Sequence, residues 1–258
     1  MPETPVDPRR EILHMEEDRL AAGSWSDSLN ELATQSGQLR LMLRQGRTAE
    51  ARSLLQSQSA PAQAALVALD ENPEEILSLT AMDKTGKPAY LPAIVDLLPS
   101  ETLAQLIAPQ QSKFIRFNAE VLRAMSPTAF ARTVQDTLEP VDQQALRTRI
   151  TWEWLQAVAA LDDCNKMAQL LRQADWEVVE DTLLERLEEV DLDQRVPGTG
   201  PWGVSRRQAL ARGFTGLKPG DWVGDPEMGH MLNVLYQAAP DLVGDIMIRA
   251  GRRLDWMG

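Results

Sequence analysis

Side chains able to do nucleophilic or metal chemistry are few, since the 258 residues include one cysteine and two histidines. Met228, His230 and Met231 form the densest group, and two thioethers with an imidazole suit Cu(I) or a haem iron. Positions 228 and 231 share one face of a helix, while 230 projects to another side. The pattern predicts core methionines beside a surface histidine, and the three remain the candidate metal ligands. Glu185, Glu188, Glu189, Asp191 and Asp193 offer oxygens to a hard cation, which needs them to converge from several directions. Glu185, Glu188 and Glu189 are instead helical neighbours with Arg186 beside them, the pattern of a solvated helix face. Gly198, Gly200 and Gly203 spell the dinucleotide fingerprint. That motif needs a strand running in and a helix behind, whereas here an acidic helix end leads in and Pro201 interrupts, so the run reads as an interdomain turn. Cys164 has no evident catalytic histidine. Nucleophile-elbow, phosphate-loop and zinc-protease patterns are missing from the sequence. No residue is assigned a catalytic role, no cofactor is expected, and a non-enzyme is favoured.

Tryptophan is the unusual residue. Six of the seven, Trp152, Trp154, Trp176, Trp202, Trp222 and Trp256, lie beyond position 150. Trp152 and Trp154 are two apart, so on a helix they point roughly 200° from each other. One of them is then partly exposed, or the helix lies between layers. Trp202 and Trp222 flank Arg206 and Arg207 in a glycine-rich stretch, and Trp and Arg are the residue types that dominate interface hot spots. Trp202, Arg206, Arg207 and Trp222 are the candidate partner-binding residues. The alternative is that the rings staple their loops to their own domain.

The elements that must carry these residues are helices. Apolar residues recur at helical spacing along the chain, and β-branched alternation is scarce. Asn72 precedes Pro73 with Glu75 three residues on, which places a cap, a preset φ and a reciprocal acceptor at one helix entry. Ser126 with Pro127 and Asp225 with Pro226 repeat the device, and Ser205 with Gln208 fits a capping box. Thr48 and Asp175 are further caps, and Pro140 and Pro240 fit first helical positions. The reading places helices at 9–22, 28–44, 48–58, 61–69, 73–82, 89–98, 101–108, 111–124, 127–137, 140–149, 151–161, 163–173, 176–190, 206–213, 226–237 and 240–256.

A degenerate echo runs through the middle. Leu98-Pro99-Ser100 with Leu103-Ala104 and Ile107 matches Met125-Ser126-Pro127 with Phe130-Ala131 and Val134, and more loosely Ala174-Asp175 with Val179 and Leu183. Each copy is a helix end, a polar or proline turn, and a new helix with apolar residues at fixed offsets. Leu97 to Leu106 and Met125 to Ala131 resemble the short helical repeats in the intracellular N-terminal domain of MgtE-type magnesium transporters. They are also similar to the armadillo-like repeats of the flagellar motor switch protein FliG. The resemblance covers about residues 73–190 and implies a right-handed stack of helices that works by contact with other proteins.

Charge narrows the partners. Lys and Arg number 26 against 38 Asp and Glu, a net charge of −12. Such a chain is repelled by nucleic-acid phosphates and by anionic lipid. With 43% hydrophobic and 25% charged residues the composition is that of a globular protein. No N-terminal apolar run resembles a signal peptide or spans a bilayer, and a cytoplasmic location is expected. The expected fold is all-α, an irregular right-handed α-solenoid-like stack with a C-terminal helical subdomain. It divides into an N-terminal helical arm at 1–46, a helical-repeat domain at 47–190, a Gly/Pro/Trp-rich connection with a short helix at 191–225, and a C-terminal cap at 226–258. The expected function is a protein-binding adaptor or scaffold. The rival is an all-α metal- or cofactor-binding protein or enzyme using the Met228–Met231 region and the acidic segment 185–193.

Overall fold

The computed structural model describes residues 15–16, 19–20, 27–81, 90–107, 118–188 and 226–257. The fold is all-α: thirteen helices account for every described element except one two-residue ladder. The chain divides into two compact units, Met1–Phe114 and Ile115–Gly258. That division falls inside the 47–190 stretch that the sequence reading treats as one domain. No described helix is long and apolar enough to cross a membrane.

The first unit holds α1 (Asp27–Arg44), α2 (Thr48–Gln56), α3 (Ala60–Leu69), α4 (Pro73–Thr80), α5 (Pro92–Val95) and α6 (Ser100–Ile107). Short turns force each chain reversal. After α1, Gly46 takes the left-handed conformation at φ 72°, and the next amide, that of Arg47, donates back to the Met42 carbonyl at 2.9 Å. Pro61, Pro73 and Pro92 stand in the first turns of α3, α4 and α5, where their missing N–H costs nothing. Helices α1 and α2 pack together, as do α3 and α4, and so does every next-but-one pair: α1 with α3, α2 with α4, α3 with α5, α4 with α6. The core between these rows is Leu39, Leu55, Leu66, Ile76, Leu77, Ile94, Leu103 and Ile107, all essentially sealed from solvent.

The second unit holds α7 (Ala119–Ala124), α8 (Pro127–Leu138), α9 (Gln144–Ala159), α10 (Cys164–Leu171), α11 (Trp176–Glu188), α12 (Pro226–Ala238) and α13 (Pro240–Met257). The same order recurs: α7 packs on α9, α8 on α10, α9 on α11, α10 on α12, and α11 on α13. Helix α9 touches α7, α8, α10, α11 and α12, and so is surrounded. This explains why Trp152 and Trp154, on opposite sides of α9, are both buried. Of the two arrangements the spacing allows, the helix lies between layers. Trp154 meets Phe130 of α8 edge to face, with ring centroids 5.7 Å apart. Helix α13 buries Val243, Ile246, Met247 and Ala250, apolar residues at helical spacing along one face.

Several expectations change. The helix placed at 9–22 is replaced, at the residues described there, by a ladder of β1 (Met15–Glu16) and β2 (Arg19–Leu20). Its backbone register pairs Met15 with Leu20 and Glu16 with Arg19. The three-residue spacing of Glu16 and Arg19 serves a helix as well as a hairpin, which is why periodicity misled. The helices placed at 140–149 and 151–161 are one helix, α9, and Pro140 precedes it without starting it. No breaker stands between Arg149 and Thr151, and α9 has packing partners along its length. The helix at 89–98 shrinks to α5, because Leu91 is extended before Pro92. The segment 111–117, the helix at 206–213, the Asp225 cap, the Ser205–Gln208 capping box and the glycine motif lie outside the described residues.

Candidate interaction surface

Caps position the helices that carry surface residues, and not all are those the sequence suggests. Ser126 Oγ accepts from the Ala129 amide at 3.1 Å, and the Asp175 carboxylate accepts from the Glu177 amide at 3.1 Å, both as expected. Asn72 caps no amide; its side-chain amide instead donates to Glu75 at 3.4 Å. Thr48 lies inside α2, and Arg47 occupies the cap position. The Arg47 guanidinium there makes a two-pronged contact with Glu50, Nε to Oε1 at 2.8 Å and Nη2 to Oε2. That hydrogen bond from Arg47 holds the Glu50 carboxyl below its ordinary range and raises the arginine. Two caps escaped the sequence reading. Asp163 accepts from the Asn165 and Lys166 amides, both at 3.0 Å, and Asn118 accepts from Val121 at 3.4 Å.

The structure separates the three candidate metal ligands. Met228 and Met231 are buried in the second unit, whereas His230 of the same helix is exposed. Among the described residues no group of three or more His, Cys, Asp or Glu could hold a metal ion. Cys164 is exposed at the first position of α10. Glu185 is half-buried, with Oε2 enclosed and unpartnered, so it does not belong to a freely solvated face; α9 and α13 both pack on α11. Glu189, Asp191 and Asp193 lie outside the described residues, as do all four candidate partner-binding residues, Trp202, Arg206, Arg207 and Trp222.

Two charged groups tie helices together. Glu180 of α11, 3% exposed, receives Arg253 Nε at 2.9 Å and Arg249 Nη1 at 3.4 Å from α13. Arg253 also reaches Asp181 at 2.6 Å. In the first unit Arg40 of α1 donates to Asp70 at 2.9 Å and pairs with Glu71 at 3.1 Å, just beyond α3. The hydrogen bond to Asp70 chiefly, then that to Glu71, raises the Arg40 guanidinium above its ordinary value. This pairing fixes which end of α1 meets which end of α3, and it sets Leu41 and Leu69 at the same end.

The large exposed hydrophobic side chains of the described residues are Leu41, Leu69, Leu91 and Leu97. Leu41 is 55% exposed and Leu91 50%. Leu41 lies on α1, Leu69 ends α3, and Leu91 and Leu97 flank α5. Leu41 and Leu69 thus belong to α1 and α3, which pack together, while Leu91 and Leu97 lie in the turns before and after α5. Nothing in the sequence reading singled them out, because exposed and core leucines look alike in composition. No protein-family model, curated protein sequence or solved structure matches the chain.

Proposed function

We propose that the chain is a protein-protein interaction or adaptor module built on an irregular right-handed stack of helices, with no catalytic chemistry of its own. The observation that supports this reading is the packing order: within each unit every described helix touches the described helix next but one to it. Helices stacked in this way bury a continuous core and leave long side surfaces free for partners. The net charge of −12 favours a basic protein partner over nucleic acid or a lipid surface. The handedness rests on the resemblance to helical-repeat domains, and the cytoplasm is the compartment that suits the composition. Trp202, Arg206, Arg207 and Trp222 enter the proposal on sequence grounds as anchors for a partner. The test is affinity capture with the tagged full chain from its cells of origin, joined to metal analysis and an absorbance spectrum of the same preparation. A protein recovered in near-stoichiometric amount with a colourless, metal-free chain is the expected result. Stoichiometric copper, iron or haem without a captured protein overturns the reading in favour of metal or cofactor binding through the Met228–Met231 region.

A further inference from the structure

We draw no further inference here: the strongest candidate, the exposed face of α1 that carries Ala33, Gly37 and Leu41 at four-residue spacing, is an open helix surface, and nothing in the structure shows what covers it.

Discussion

At Glu180 a nearly sealed carboxylate faces two arginines that keep about half their surface in water. The asymmetry makes the partners unequal. Arg253→Met leaves a buried charge with only the longer Arg249 contact, and the expected loss in urea unfolding is about 3 kcal/mol. Glu180→Gln keeps the volume and some hydrogen bonding while the arginines hydrate, at a cost of about 1–2 kcal/mol. The reverse order would mean that the arginine stems, not the buried charge, dominate. At Glu50 the sign is that of a depressed carboxylate. Its pairing with Arg47 contributes at neutral pH and is lost as pH falls through the lowered value. An NMR titration should place Glu50 below ordinary glutamates, and Arg47→Met should return it to them; an ordinary titration in wild type refutes the pairing. The sequence gives no sign of the first pair, since Glu180 and Arg253 meet only because α11 and α13 pack; the three-residue spacing of Arg47 and Glu50 was readable but was passed over for a cap at Thr48.

Among the elements, most described helices were legible because proline, glycine and cap residues punctuate them, as at Ser126-Pro127 and Pro240. What failed has a common physical cause. Where a helix ends for want of tertiary support or continues because of it, local signals lose: α9 runs through the expected break at 150, and residues 15–16 and 19–20 pair as strands. Caps give a clean element-level test. Ser126→Ala should cost about 1 kcal/mol and Asp163→Ala a similar amount, since each side chain holds backbone amides of the next helix. Asn72→Ala should cost much less than either, because Asn72 caps no amide. Equal losses at all three, read from thermal or urea melts, would show that side-chain capping does not set these helix starts.

For the whole chain, the all-α class was readable from periodicity, and which described helices pack on one another within each unit was not, because that depends on tertiary contacts. The candidate site was less legible than the fold. Met228 and Met231 went to the core and His230 to the surface as their spacing implied, but the exposed leucines carry no sequence mark. The account's central claim is that the chain acts through helix surfaces contacting another protein. Amide hydrogen exchange of the full chain, alone and with the protein that affinity capture recovers, tests it most directly. The account predicts slowed exchange over a contiguous set of exposed helix residues, with the buried core of the other helices unchanged. Exchange unaltered everywhere in a saturated complex would contradict it.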